Sequence, residues 1–303
     1  MKKLLRKLLP RSAFRMIKSL WREARYQVKS LIIRVKIMLS LPLKPKRSKI
    51  RFEVHITEHC NLNCKSCNNF SCIAEPEFVN VEEFGKDFAR MGEIFSHECE
   101  QIYLIGGEPL LNPDIIALME TARKNFTKGN ISVFTNGILL PKMPEAFWRA
   151  CHDYDIGITV SEYPIKIDIE GIKALAERFG VEFKWSSSRE SFYVEPLNLK
   201  GNSNIRVNFG LCVRANSCIA LSHGRLFTCT FAPNVRHFNK KFGTNIEITP
   251  ADSVNIYDEG ITAGKILQRM SEPIPACRWC NLRNSDIRSI DWGITQGKIE
   301  EWT

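Results

Sequence analysis

Three closely spaced cysteines are the residues of this sequence best suited to binding a metal. Cys60, Cys64 and Cys67 follow the first apolar segment with the spacing C-x3-C-x2-C. Three thiolates without a local fourth can hold three irons of a [4Fe-4S] cluster and leave one iron open. A structural zinc ion usually has a fourth ligand, for which His55 or His59 is available, and paired C-x2-C spacing. The spacing therefore favours an iron–sulfur cluster, with zinc as the alternative.

A second group of cysteines lies in the last third of the chain. The turn residues His223 and Gly224 predict a two-residue hairpin loop, which would place Cys218 and Cys229 directly across from each other. Five thiols compete there for the four ligand positions of one cluster or one zinc ion, and the sequence does not choose among them: Cys212, Cys218, Cys229, Cys277 and Cys280. The three isolated cysteines are predicted to be small buried apolar residues: Cys72, Cys99 and Cys151.

Composition and charge limit the class of protein. A hydrophobic fraction of 44% with 25% charged residues excludes a disordered chain. No run of 18 apolar residues predicts a spanning helix, and the start of the chain is too charged for a signal peptide, so we expect a cytoplasmic protein. Eleven cysteines in that reducing compartment indicate metal binding rather than disulfides.

The positive charge is concentrated at the start of the chain. Residues 1–50 carry 16 of the 43 Lys and Arg and one acidic residue, Glu23, so the net charge of +10 divides into +15 there and −5 in the remainder. Apolar residues recur every three or four positions from 14 to 39, which predicts a basic amphipathic helix. Such a helix is typical of a membrane-surface anchor, although it could also dock on its own domain or on a partner. Nucleic acid is a weaker candidate partner.

From residue 50 onward, strand and helix patterns alternate. This order predicts right-handed βαβ units and a parallel sheet, whose carboxyl-end loops carry active sites in βα barrels. The strands are predicted at 52–56, 102–105, 131–134, 156–160 and 181–183, and the helices at 81–95, 113–126, 144–152 and 168–179.

With Gly106-Gly107-Glu108-Pro109 at the end of the second predicted strand, the chain resembles the radical S-adenosylmethionine (radical SAM) enzymes. In that family SAM binds the open iron, and an electron from the cluster converts it into a 5′-deoxyadenosyl radical that takes a hydrogen atom from the substrate. The resemblance implies that Cys60, Cys64 and Cys67 ligate this cluster. It further implies that the glycines of the GGEP motif let backbone approach the SAM amino group.

The same resemblance implies further SAM contacts. Asn136, in Thr135-Asn136-Gly137, and Ser161 end the third and fourth predicted strands, where relatives contact the SAM ribose or carboxylate. Asn136 could equally be a turn residue and Ser161 a strand cap. The family has an aromatic residue before the third cysteine, whereas this chain has Ser66; Phe70 is the candidate replacement near the adenine.

The C-terminal cysteines resemble the SPASM and twitch extensions of radical SAM enzymes. Cys212, Gly224 after eleven intervening residues, Cys229 after four more, and a later C-x2-C pair match a twitch-like domain with one auxiliary [4Fe-4S] cluster. The predicted fold is α/β: a basic amphipathic helix (1–49), a partial (βα)6 TIM-like barrel (50–207) and a small cysteine-rich α+β extension (208–303).

The resemblance implies an enzyme that cleaves SAM reductively with electrons from an external donor. The segments CNLNCK and TNGILL resemble those of enzymes associated with bacterial cell-surface glycans, so a sugar or lipid-linked saccharide is the preferred substrate. A peptide is the second candidate. A non-catalytic iron–sulfur or zinc protein is the alternative class, and the GGEP motif speaks against it. No acid or base of the reaction is identified from the sequence.

Overall fold

The computed structural model describes residues 11–186, 191–194, 196–217, 219–282 and 288–303. The strands within these ranges are β1 (Arg51–Thr57), β2 (Glu98–Gly106), β3 (Lys128–Thr135), β4 (Ile156–Val160), β5 (Phe183–Trp185), β6 (Ser191–Val194), β7 (Ile219–Ser222), β8 (Arg225–Phe227), β9 (Ser253–Asn255) and β10 (Arg288–Asp291). The α-helices are α1 (Arg11–Met38), α2 (Val81–Ile94), α3 (Ile115–Asn125), α4 (Glu145–Asp153), α5 (Ile169–Phe179), α6 (Ile205–Leu211), α7 (Phe231–Phe242) and α8 (Ala263–Met270).

One eight-stranded sheet organises the chain, in the order β5-β4-β3-β2-β1-β7-β8-β9. Strands β1 to β5 run parallel and are joined by α2 to α5, so the α/β class with a parallel sheet is confirmed and is consistent with a partial barrel. In the described residues β5 is the last strand on one side of the sheet. On the other side β7 pairs parallel with β1, and β8 and β9 follow it.

Alternation of side chains along the strands separates a helix-covered face from a more polar face. Phe52, Val54 and Ile56 of β1 are buried in the main core, together with side chains of α2 to α5 and α8. Their neighbours Glu53 and His55 point to the other face. The predicted helices and the first four strands agree with the structure within a few residues. The fifth strand starts at Phe183 rather than at 181.

The predicted hairpin is present and belongs to the main sheet. Its strands pair Ala220 with Phe227 and Ser222 with Arg225, and both turn residues have positive φ, 46° at His223 and 67° at Gly224. This backbone is that of a two-residue type I′ turn. Because β7 lies against β1, the sheet continues across residue 207, where the sequence analysis divides the chain.

Helix α1 docks on the chain with one side. Ser30 and Ile33 are buried, and Ile33 packs with Phe209 and Leu43 in a small core beside α6. The predicted apolar stripe is a different side of the helix, and its members, such as Trp21 and Leu31, are exposed. Among the described helices, none is both long enough and apolar enough to cross a membrane.

Candidate metal centres

The carboxyl ends of β1 to β4 bring most of the predicted site residues together. Thr57 at the end of β1 pairs with Gly106 at the end of β2. The side-chain amide of Asn136, just after β3, donates to Asn61 Oδ1 at 2.7 Å and lies 3.8 Å from Cys60 Sγ. The backbone N–H of Ser161 donates to the carbonyl of Thr135, which joins the ends of β4 and β3. The loop that carries Cys60, Cys64 and Cys67, called the cysteine loop below, is thus held at the edge of the sheet where βα barrels carry their active sites.

The two glycines of the GGEP motif lie against the start of the cysteine loop. A Cβ on Gly106 would stand 2.0 Å from the carbonyl oxygen of Thr57, and one on Gly107 would stand 1.9 Å from that of His59. The Gly107 N–H donates to Thr57 O at 2.7 Å. Both positions require glycine because two backbone segments approach each other closely here. This reason is separate from the expected approach of the SAM amino group.

Glu108 joins the neighbouring strand ends from inside the protein. Its fully buried carboxylate accepts hydrogen bonds from Thr135 Oγ1 (2.6 Å), Asn136 N (2.9 Å) and Leu110 N (3.1 Å). Burial raises the pKa of Glu108 to about 7, against the opposing effect of these three donors. Pro109 begins a short 3-10 helix whose N-cap is Glu108. The Glu108 side chain therefore points into the protein and fixes the GGEP segment to the end of β3.

Each of the three predicted cluster thiols has hydrogen-bond donors. The Cys72 thiol and backbone N–H groups of the following turn donate to Cys67, and they lower its pKa to about 6 although burial opposes this. Burial raises the pKa of Cys60 to about 12 and of Cys64 to about 11. The Leu62 N–H donates to Cys60 Sγ at 3.3 Å. Donors directed at sulfur stabilise thiolates and reduced clusters, so this loop fits an iron–sulfur cluster in the chemistry of its ligands.

The C-terminal segment, residues 291–303, contacts the cysteine loop, a contact that the sequence analysis missed. Trp292 Nε1 donates to Cys64 Sγ at 3.2 Å, and Trp302 Nε1 donates to the carbonyl of Cys67 at 2.9 Å. Ser66 Oγ donates to the carbonyl of Glu301. Ladder hydrogen bonds between 293–295 and 63–65 complete the contact. No local sequence signal connects segments more than 220 residues apart.

The expected role of Phe70 near the adenine is not supported by its position. Phe70 is 2% exposed and packs against Phe238 and Trp302 in a core beneath the cysteine loop. It supports the loop from inside. The aromatic residues that adjoin the cluster thiols are instead Trp292 and Tyr163, both of which form hydrogen bonds to Cys64.

The second cysteine group is assembled between α6, the hairpin and the C-x2-C segment. Cys212, Cys229 and Cys277 lie close enough for each to influence the ionisation of the others, and burial raises the pKa of Cys277 to about 12. The Asn208 amide donates to the carbonyl groups of both Cys277 and Cys280, which fixes the C-x2-C turn. Cys218 lies outside the described residues.

A lysine of the basic N-terminal arm, residues 1–50, adjoins this second group. Lys44 Nζ donates to the backbone carbonyl of Cys212. Burial lowers the pKa of Lys44, and the Cys212 and Cys277 thiols oppose this effect. Thiol donors are those that iron–sulfur clusters use, and a nearby cation suits the negative charge of such a cluster. Of the three isolated cysteines, Cys99 and Cys151 are buried in the main core, as predicted. The prediction was wrong for Cys72, which is partly exposed and donates a hydrogen bond to Cys67.

No mononuclear site is preformed in the part of the chain that is described. There, no three His, Cys, Asp or Glu side chains are grouped to hold a metal ion, and none of the ten described cysteines forms a disulfide. A polynuclear cluster binds each thiolate to a different iron, so its ligands need not converge on one point. The donor chemistry of both cysteine groups thus fits clusters.

Comparison with known proteins gives a family match for the first half of the sheet and its helices. Residues 54–179 match the family model of the Radical SAM superfamily. The chain is 29% identical over 119 residues to the GTP 3',8-cyclase of Aquifex aeolicus (strain VF5), which covers 37% of this chain and 33% of that protein. The chain therefore spans about a third of the length of this curated relative.

Two solved structures have lower similarity. The structure described as native anSMEcpe with bound AdoMet is 22% identical, with a TM-score of 0.36, over 44% of this chain and 43% of that chain. BtrN in complex with AdoMet and 2-DOIA is 15% identical, with a TM-score of 0.41, over 62% of this chain and 76% of that chain. The cysteine loop and the GGEP segment, which meet at one sheet edge, both lie within residues 54–179, the part of the chain that matches the Radical SAM superfamily.

Proposed function

We propose that this chain is a radical SAM enzyme that cleaves S-adenosylmethionine at a cluster held by Cys60, Cys64 and Cys67. The observation that carries the proposal is the convergence of the cysteine loop, the GGEP segment and Asn136 at the carboxyl edge of the sheet. When bound, the cluster and SAM supply a radical that takes a hydrogen atom from a substrate. The protein positions these groups and excludes competing reactions.

Substitution of each ligand tests this proposal. Cys60→Ala, Cys64→Ala and Cys67→Ala are each expected to abolish formation of 5′-deoxyadenosine from SAM by the anaerobically reduced protein. Cys151→Ala, in the main core, is the matched control and should retain it. Retained cleavage in any of the three loop variants would remove the proposal. Gly106, Gly107, Glu108, Pro109, Asn136 and Ser161 are the proposed residues of the SAM site.

The second cysteine group is proposed to hold an auxiliary [4Fe-4S] cluster. Its ligands come from Cys212, Cys218, Cys229, Cys277 and Cys280, and the juxtaposition of Cys212, Cys229 and Cys277 supports it. The reconstituted protein should bind about eight irons, two clusters of four. Cys277→Ala should retain about four. About four irons and one zinc in the unsubstituted protein would favour a structural zinc site instead.

A saccharide is the proposed substrate class, with a peptide as the second candidate. A cavity of about 250 Å³ between the end of β1 and the start of α2 is lined in part by the polar residues His55, Glu58 and Ser222 and in part by apolar residues such as Val54 and Phe84. His55 Nδ1 is buried without a partner. Such a lining suits a polyhydroxylated ligand, which offers many hydrogen-bonding groups. Candidate glycans and peptides would be screened for stimulated 5′-deoxyadenosine formation and for a modified product, and only peptides yielding one would overturn this choice.

An anionic membrane surface is the proposed partner of α1. Its exposed stripe includes Leu20, Trp21 and Leu31, which are 62%, 65% and 63% exposed, and the basic residues Arg25 and Lys29 flank it. Each Lys or Arg near an anionic bilayer contributes about 1 kcal/mol. This site would bring the enzyme close to a lipid-linked substrate on the cytoplasmic face of a membrane.

The membrane proposal is tested with the full chain. It should co-sediment with vesicles containing phosphatidylglycerol at low salt, and high salt should weaken the association. Trp21→Ala should weaken it as well, whereas Val213→Ala, 68% exposed elsewhere on the surface, should not. If the full chain does not bind these vesicles at low salt, the membrane proposal is wrong.

A further inference from the structure

Two aromatic side chains from separate parts of the chain donate hydrogen bonds to the sulfur of Cys64. The indole N–H of Trp292 lies 3.2 Å from Cys64 Sγ, and the hydroxyl of Tyr163, in the segment after β4, bonds to the same thiol. The two rings lie beside each other, with centroids 6.4 Å apart. One ligand of the proposed cluster therefore has an aromatic pair of donors beside it.

The backbone holds Trp292 in this position. Cys64 forms an antiparallel bridge with Ile294, the N–H of Lys65 donates to Gly293 O at 2.8 Å, and the N–H of Thr295 donates to Asn63 O at 2.9 Å. Residues 293–295 thus act as a short strand along the cysteine loop. The indole is fixed by this ladder and is not a surface side chain that happens to lie close.

Hydrogen bonds to the sulfurs of an iron–sulfur cluster favour its reduced state. The reduced cluster carries one more negative charge, and the positive end of an N–H or O–H dipole stabilises it. We propose that Trp292 and Tyr163 raise the reduction potential of the cluster bound through Cys64. The inference rests on the proposed function, since it needs a cluster at Cys60, Cys64 and Cys67. Both side chains are positioning residues that act through Cys64.

Redox titration of the anaerobically reconstituted full chain tests the inference. The signal of this cluster is the one that is missing in Cys64→Ala. Trp292→Phe keeps an aromatic ring and removes the donor. It should make reduction about tenfold less favourable, a shift of 59 mV to lower potential for one electron, with unchanged iron content. Tyr163→Phe, a conservative change that is independent of the tail, should shift the potential in the same direction.

Trp302→Phe is the matched control. Its indole also bonds to the cysteine loop, but to the backbone carbonyl of Cys67 rather than to a thiol. The control should leave the potential unchanged. Unchanged potentials in both Trp292→Phe and Tyr163→Phe, at full iron content, would overturn the inference. So would an equal shift in Trp302→Phe, which would assign the effect to loop anchoring. If Cys64→Ala lost no iron, the proposed function itself would fail, and the inference with it.

Discussion

Glu108 shows how one residue can hold two strand ends in position. Both of its carboxylate oxygens accept hydrogen bonds, Oε1 from Thr135 and Leu110 and Oε2 from Asn136. In Glu108→Gln one oxygen becomes an NH2 group that faces a donor. We expect the free energy of unfolding in urea at pH 5, where Glu108 is protonated, to fall by about 1–3 kcal/mol, the cost of a buried backbone N–H left without an acceptor. Glu82→Gln, on the exposed face of α2, should leave it unchanged, and equal losses in both variants would refute the explanation.

The same residue gives a pH dependence with a defined sign. The pKa of Glu108 is raised to about 7 in the folded protein from an ordinary value of 4.5, and Cys60 is the neighbouring titratable group. Protonated Glu108 contributes to the stability of the folded protein in full below about pH 4.5, and this contribution is lost as the pH rises through 7. We expect the native protein to lose up to about 3 kcal/mol between pH 5 and 8 through this group, and Glu108→Gln to lose correspondingly less. Identical slopes for the two proteins would contradict the pKa assignment.

Gly107 sets the position of the cysteine loop by its lack of a side chain. In Gly107→Ala the new Cβ would meet His59 O at 1.9 Å and Cys60 N at 2.7 Å, both backbone atoms that cannot move alone. The loop must shift, so we expect iron bound by the reconstituted protein to fall by about half if two clusters form. Gly85→Ala, in α2, meets nothing closer than 4.0 Å and should bind the full amount. Full iron binding by Gly107→Ala would show that the loop adapts.

At the scale of elements, α1 separates docking from exposure within two residues. Positions 31 and 33 are about 200° apart around a helix, and Ile33 is 7% exposed while Leu31 is 63% exposed. Ile33→Ala should lower the free energy of unfolding by about 2 kcal/mol, since it leaves a cavity against Phe209. Leu31→Ala should change it by less than about 0.5 kcal/mol but weaken binding to anionic vesicles. Thermal unfolding measures the first effect and vesicle sedimentation the second. Reversed results would mean that Ile33 does not lie on the docked side of α1.

This arrangement also affects how the arm can be removed. A chain starting near Pro45 would lack the exposed stripe of α1. In the structure the arm also supplies Leu43 to a core with Phe209, and Lys44 to the second cysteine group. Truncation would therefore uncover part of that group, and single substitutions on the exposed stripe separate membrane binding from folding more cleanly.

How much of the structure could be predicted from the sequence depended on the sequence range of the interactions. Strands and helices between residues 50 and 180 were predictable because their apolar periodicity is local, and the hairpin was predictable because His223-Gly224 suits its turn. The contact of Trp292 with Cys64 was not, since nothing nearby in the sequence encodes a pairing 228 positions away. The docked side of α1 was missed for another reason: it includes the polar Ser30 and is less apolar than the exposed side.

At the scale of the whole molecule, the extension and the barrel share one sheet and one core. Strand β7 pairs with β1, and Ile266, Leu267 and Met270 of α8 lie in the main core with β1 and α2. The cores of the two parts are therefore not independent, as separately folding domains would require. We infer that the division predicted near residue 207 marks a change in sequence pattern and that the barrel and the extension unfold together.

Asp87 offers the sharpest test of this coupling. Its carboxylate, buried on α2, accepts hydrogen bonds from the Gly224 N–H and the Tyr257 hydroxyl, both at 2.7 Å, and so ties a barrel helix to the hairpin tip and to the segment after β9. We expect Asp87→Ala to lower the free energy of unfolding by about 2 kcal/mol, mainly because the buried Gly224 N–H loses its acceptor. The hydroxyl of the half-exposed Tyr257 loses the same acceptor. Circular dichroism, which reports on the helices of the whole chain, and loss of iron from the cluster proposed at Cys277 and its neighbours should shift together in denaturant. Asp153→Ala, at the exposed end of α4, should shift neither. Two separated transitions in Asp87→Ala would mean that the extension unfolds on its own.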